Sequence, residues 1–122
     1  MASLEEVIAS KDAEAIKRKR TAIQSMINVV RNSLEKLLVK TVAGAYDHAK
    51  IQRVRAQGEH AKLIKYHQNF CLAHEAYVEQ RKTGDSAEQE IALAETDDKH
   101  YNDVVGKIYD TLEIFESYDA HR

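Results

Sequence analysis

The stretch IKRKRTAIQSMINVVRNSLEKLL, residues 16–38, decides the fold class of this chain. Its core positions recur in steps of three and four, the spacing of a helix packed along its length. The series includes one arginine and one threonine: Ile16, Arg20, Ile23, Ile27, Val30, Leu34, Leu37 and Thr41. We therefore expect a first helix over about residues 10–42, which Gly44 ends by adopting a left-handed conformation.

Two later segments repeat this periodicity. The second helix is predicted over about residues 46–82, with a stripe formed by Ala49, Ala56, Leu63, Tyr66, Phe70, Ala73 and Tyr77. The third is predicted over about residues 87–119, with a stripe formed by Ile91, Ala94, Asp98, Tyr101, Val105, Ile108, Leu112 and Phe115. Ser86 and Gln89 match a capping box at its start.

Short loops between three helices of similar length favour antiparallel neighbours. The expected fold is therefore all-α: an elongated antiparallel three-helix bundle with up-down-up topology, about 50 Å long. We expect residues 1–122 to form a single domain. Residues 1–9 would be a short helix, begun by a capping box of Ser3 and Glu6, or a flexible segment, and residues 120–122 a tail.

The composition agrees with amphipathic helices. The 122 residues include no proline and four glycines, and 43% are hydrophobic while 31% are charged. No apolar run approaches the ~20 residues that a membrane span requires. The single cysteine excludes an internal disulfide and fits a reducing compartment. We therefore expect an intracellular, cytoplasmic protein. A location within a cytoplasmic particle is included in this expectation.

Charge is distributed unevenly along the chain. Residues 1–65 contain 13 Lys and Arg against 7 Asp and Glu, whereas residues 66–122 contain 5 against 13. Lys17, Arg18 and Lys19 project away from the first stripe, so residues 17–20 are a candidate contact for RNA or an anionic membrane. The alternative is that the basic helices pack beside the acidic third helix.

The stretch EHAKLIKYHQNFCLAHE, residues 59–75, raises the question of a site, because it repeats histidine every seven residues. His67 and His74 fall within the apolar arc of the second helix and should point inward. Antiparallel pairing places Asp98 near His74 and Arg20 near His67. Since a buried charge requires a partner, we predict an internal polar cluster of Arg20, His67, His74 and Asp98.

A metal site is the sharper alternative for the same residues. His67, Cys71 and His74 share one helix face, and Asp98 could supply a fourth zinc ligand. However, the chain lacks HExxH, a second cysteine and a Glu-x-x-His pair, so no metal or other cofactor is expected. Surface histidines are the third possibility. No catalytic triad, phosphate loop or CxxC occurs either, so we expect neither enzymatic activity nor a small-molecule substrate.

Three stretches of the chain resemble a known family. The basic opening and long amphipathic helix of residues 16–38, YHQNFCLAHEAYVEQ at 66–80 and the acidic ETDDKHYNDVVGKIYDTLEIFE at 95–116 are similar to the N-terminal region of Gag polyproteins of BEL/Pao-type LTR retrotransposons. The resemblance covers about residues 10–118. It implies a coiled-coil-like module that contributes chain–chain contacts to a particle enclosing RNA. Packaging and protease motifs are missing, so the chain would be a fragment of a longer polyprotein or a host-domesticated remnant.

The leading hypothesis is therefore a non-enzymatic, Gag-like assembly module acting through self-association or a partner helix. One alternative is a cellular helical adaptor that docks a partner helix along its grooves. A lower alternative is a metal-binding helical bundle that uses His67, Cys71 and His74.

Overall fold

The computed structural model describes residues 3–81 and 87–120. Within them the chain forms α1 (Leu4–Ala9), α2 (Ala13–Leu37), α3 (Arg53–Gln80) and α4 (Ala87–Ala120). The all-α prediction is confirmed. No helix in this part of the chain is long and apolar enough to cross a membrane.

The direction of packing follows from side-chain pairs. On α3 and α4, His60 meets Phe115 while His74 meets Tyr101, so these two helices run antiparallel. On α2 and α4, Arg20 meets Asp97 and Arg31 meets Thr111, so these two run parallel. The core between them is formed by Ile23, Ile27, Val30, Leu34, Leu38, Ile51, Ala56, Leu63, Phe70, Ala73, Val104, Ile108, Phe115 and Tyr118.

The N-terminal segment forms a short helix of its own, one of the two possibilities expected for residues 1–9. Ser3 Oγ accepts a hydrogen bond from the backbone nitrogen of Glu6 at 3.2 Å and begins α1, as the capping-box pattern predicted. Lys11 then adopts a left-handed φ of 55°, and Asp12 caps α2 through the nitrogens of Glu14 and Ala15. The predicted start at Ser3 is thus used, and Asp12 supplies a second start that the sequence reading did not identify.

The prediction that this helix continues to residue 42 is wrong. α2 ends at Leu37, and Thr41, predicted as a core position, is exposed. The β-branched run after Leu38 forms a small hairpin instead, in which the nitrogen of Asp47 donates to the carbonyl of Val39 at 2.9 Å. Gly44 has a φ of 90° in the turn of this hairpin, so its left-handed conformation serves a loop rather than a helix end.

The second helix starts seven residues later than predicted. α3 begins at Arg53 instead of residue 46, and Ala49 is exposed in the connecting segment. Leu38 and Ile51 anchor the two ends of this segment, with side chains that are 5% and 7% exposed. The predicted end at residue 82 and the Ser86 cap lie outside the described residues, while the predicted range of 87–119 matches α4 within one residue.

α4 is rotated relative to its predicted stripe. Val104, Thr111 and Tyr118 are buried, whereas Val105 and Leu112 are only half-buried. The buried Thr111 faces α2. Its hydroxyl accepts a hydrogen bond from Arg31 Nε at 2.9 Å and lies 3.1 Å from Glu35 Oε1, so its polar atom is not left unpaired by burial.

Candidate functional site

A buried polar cluster lies between the first half of α2, the second half of α3 and the first half of α4. Arg20 is its centre and is 4% exposed. Its Nη1 is 2.9 Å from His74 Nδ1, and its Nη2 is 3.6 Å from Asp97 Oδ1. One guanidinium thus links all three helices, because its planar fork can donate in two directions.

The contact with Arg20 determines the protonation of His74. A guanidinium can only donate hydrogen bonds, so His74 Nδ1 must accept, and the neutral ring then carries its proton on Nε2. That Nε2 lies 3.7 Å from Asp98 Oδ1. Burial is the main cause that lowers the pKa of His74, and the Arg20 charge lowers it further. The ring is therefore neutral at neutral pH inside the bundle.

Aromatic rings close the cluster on two sides. His74 stacks on Tyr101 with centroids 4.0 Å apart, and the Arg20 guanidinium carbon lies 4.6 Å from the centre of the Tyr77 ring. The Tyr101 hydroxyl donates to Cys71 Sγ at 3.2 Å, and this hydrogen bond, together with burial, raises the pKa of Tyr101 to about 12. Stacked rings and paired charges give this end of the bundle one defined packing arrangement.

The structure brings together three of the four residues predicted for the cluster. Arg20, His74 and Asp98 meet, but the Asp98 side chain is 58% exposed and lies at the rim. His67 lies elsewhere, with its ring 5.3 Å from that of Tyr109 in an edge-on contact. The expected pairing of Arg20 with His67 is wrong. The loop between α2 and α3 spans residues 38–52, longer than predicted, and it shifts α3 along α2. In addition, a side chain on a helix leans toward the N-terminal end of that helix.

Asp97, Tyr77 and Arg81 belong to the cluster but were missed. Asp97 bridges Arg20 and Arg81, the latter through a 3.7 Å contact between Arg81 Nη1 and Asp97 Oδ2. The rotation of α4 that buries Val104 and Thr111 also turns Asp97 inward in place of Asp98. The spacing of Asp97, Tyr101 and Val104 in steps of four and three was the signal in the sequence that could have identified it.

The metal alternative receives no geometric support in residues 3–81 and 87–120. Within these ranges no group of three His, Cys, Asp or Glu side chains is arranged to hold a metal ion. The ring of His67 contacts that of Tyr109. Cys71 Sγ accepts a hydrogen bond from the Tyr101 hydroxyl, and His74 Nδ1 accepts one from Arg20. Each of the three candidate ligands on α3 is thus oriented by a different neighbour.

The basic run at residues 17–20 does not form one continuous surface. Lys17 and Arg18 are exposed, Lys19 is half-buried and Arg20 is inside the cluster. Only Lys17 and Arg18 of this run are therefore exposed to a partner.

Exposed apolar side chains mark a different kind of surface along the joint between α3 and α4. Ile64, Cys71 and Val78 repeat every seven residues on α3, and Ile64 and Val78 are each 38% exposed. His67, one turn from Ile64, contacts Tyr109 of α4, which is 58% exposed. We call Ile64, Cys71, Val78 and Tyr109 the α3/α4 strip. A seven-residue repeat of apolar residues is the pattern by which one helix packs along another.

The lowered pKa values of three histidines predict that the stability of the fold depends on pH. Burial lowers the pKa values of His60, His67 and His74 below 6.5, so the unfolded chain binds more protons as the pH falls through that value. We therefore expect the melting temperature to be highest above pH 6.5 and to fall between pH 6.5 and 5. Calorimetry across this range measures the slope. The double variant His67→Leu/His74→Leu should have a shallower slope, and an unchanged one would contradict the assignment.

Comparison with known proteins adds no assignment to this geometry. No protein-family model, no curated protein and no solved structure shows a significant match to the chain.

Proposed function

We propose that this chain is a non-enzymatic helical assembly module, similar in role to the N-terminal region of Gag polyproteins of BEL/Pao-type retrotransposons. Copies associate through the α3/α4 strip, inside the cell. The observation that carries the proposal is the strip itself, a seven-residue repeat of partly exposed apolar residues beside the exposed Tyr109. Apolar residues at this spacing on an accessible surface favour contact with another helix.

The buried cluster supports the same role. Arg20, His74 and Asp97 tie the three long helices into one register, which keeps the strip continuous across two helices. A polar group at a core position can specify helix register in this way. The cluster itself is filled by paired side chains, so its geometry suits a structural role better than turnover of a substrate.

The test is a pair of matched surface variants. Ile64→Lys/Val78→Lys places two charges in the strip, and the control Val54→Lys/Leu72→Lys changes equally apolar, exposed residues of α3 outside it. We expect light scattering to show a mass that rises with concentration for the parent and the control. The strip variant should associate at least tenfold more weakly, which corresponds to about 1.4 kcal/mol.

Circular dichroism establishes that both variants remain helical. A parent chain that stays monomeric at every concentration would contradict self-association and favour the adaptor hypothesis. Equal weakening by the strip variant and the control would mean that association is not localised in the strip.

A further inference from the structure

The helix α1 is attached to the rest of the molecule by light packing. It has six residues, none of them buried. Its apolar residues Leu4, Val7 and Ile8 are half-buried against α2 and α3. Leu4 contributes to the wall of a cavity of about 540 Å³ beside Ala22 and Met26, so α1 folds back along α2 in the opposite direction.

The connection between α1 and α2 is a sharp hinge. Lys11 has a φ of 55°, a conformation that residues with a side chain adopt only at a cost. If Lys11 and the extended Asp12, which has φ −96° and ψ 106°, both became right-handed, α1 and α2 would join into one helix from Leu4 to Leu37. Nothing in the sequence of the hinge, SKD, prevents this, because it contains neither proline nor glycine. The Asp12 cap opposes it by accepting hydrogen bonds from Glu14 and Ala15.

A continuous helix would carry one stripe that pairs with itself. The stripe runs in steps of four and three, with a small or apolar residue at most positions: Leu4, Ile8, Lys11, Ala15, Lys19, Ala22 and Met26. In the structure, the hinge brings Leu4 back beside Lys19, Ala22 and Met26, while Ile8 packs against the cluster of Ile16, Ala76 and Tyr77. The same antiparallel pairing can be made between two copies, with a two-fold axis near the hinge.

We propose that α1 exchanges between copies, so that α1 of each copy packs against α2 and α3 of the other. This inference rests on the proposed self-association and adds a second interface to it. The charges also match, because Glu5 of α1 lines the cavity whose wall includes Lys19 and Lys65. Exchange retains the contacts of α1 with α2 and α3, now made between copies. It also removes the conformational cost of the left-handed Lys11. A closed dimer needs one interface, whereas an extended assembly needs two. Exchange of α1 and contact through the α3/α4 strip are two separate interfaces, so together they would allow copies to form assemblies larger than a dimer.

Two hinge variants should change the exchange in opposite directions. Lys11→Gly removes the cost of the left-handed conformation and stabilises the folded-back monomer. Asp12→Ala removes the cap and stabilises the continuous helix. Lys50→Gly and Asp103→Ala are the matched controls, since both residues are exposed and lie away from the hinge.

The measurement uses the Ile64→Lys/Val78→Lys background, in which the strip is disabled. We expect sedimentation to show that Asp12→Ala dimerises at a concentration at least tenfold lower than the background protein. Lys11→Gly should dimerise at least tenfold less readily. The two controls should behave as the background protein does. Hinge variants that do not differ from their controls would overturn the proposal.

A cross-link identifies which copy supplies α1. Val7 and Ala76 belong to one packed cluster, so Val7→Cys copies and Ala76→Cys copies, both also Cys71→Ser, are refolded together and treated with a short bismaleimide. A covalent heterodimer is the expected product. If the Val7→Cys/Ala76→Cys double variant links only within one chain and the mixed copies do not link, exchange is wrong. If exchange is wrong but the parent chain still self-associates through the α3/α4 strip, the proposed function stands without exchange.

Discussion

Replacing Arg20 by alanine is expected to lower the free energy of unfolding by about 3 kcal/mol, because it removes one of the two arginine partners of Asp97 and the hydrogen-bond donor of His74 from the interior. The Arg20 side chain is 5% exposed and that of Asp97 is 16% exposed, so water reaches neither group readily. His74 Nδ1 would also lose its donor at 2.9 Å. Urea denaturation followed by circular dichroism measures the change.

The control for this variant is Arg18→Ala, which removes an arginine of the same basic run from an exposed position. Its effect should stay within about 0.5 kcal/mol. Arg20→Met together with Asp97→Leu should recover part of the lost stability, since replacing both the guanidinium and the carboxylate by apolar groups is tolerated better than removing one partner. A loss below about 1 kcal/mol for Arg20→Ala would show that the cluster contributes little to stability.

Replacing Phe70 by alanine is expected to cost about 4 kcal/mol, since it removes a large side chain from the centre of the core. Phe70 is 0% exposed, and its ring stacks on Tyr101 with centroids 5.6 Å apart. A small domain has a total stability of roughly 5–15 kcal/mol, so this variant approaches the limit of folding. The melting temperature and the urea midpoint report the loss.

Leu72→Ala is the matched control for Phe70→Ala, because Leu72 lies two residues away on the same helix and is 51% exposed. It should change the free energy of unfolding by less than about 0.5 kcal/mol. Similar losses in the two variants would contradict the orientation of α3. Because Phe70 also borders the ring that stacks on His74, its removal should lessen the burial that lowers the pKa of His74, so a shallower loss of stability below pH 6.5 is expected for Phe70→Ala.

Helix periodicity predicted the core better than it predicted the helix ends. Ile16, Ile23, Ile27, Val30 and Leu34 are buried on α2 as the stripe required. The stripe also extended to Thr41, which is exposed in a hairpin. Periodicity records which positions share one face, whereas the end of a helix depends on competing backbone hydrogen bonds. In this chain the bond between Asp47 and Val39 is one of them.

The candidate site was half predictable for a related reason. Arg20 and His74 occupy core positions of their own helices, so their membership of one buried polar cluster followed from spacing and burial, although the spacing paired Arg20 with His67 rather than with His74. His67 was misplaced because the register of α3 against α2 depends on a loop whose length the pattern misjudged. Asp98 was predicted because it falls on the expected stripe of α4, whereas the helix is rotated so that Val104, Thr111 and Asp97 face the other helices.

The sequence by itself determined an all-α chain with its apolar stripes, the helix start at Ser3, and the requirement that Arg20 find partners inside. These follow from local spacing, from capping and from the cost of an unpaired buried charge. The tertiary structure alone decided that Asp97 rather than His67 completes the cluster, that α1 folds back, and that the α3/α4 strip remains accessible. These depend on register and helix rotation, which arise only when separate segments pack together.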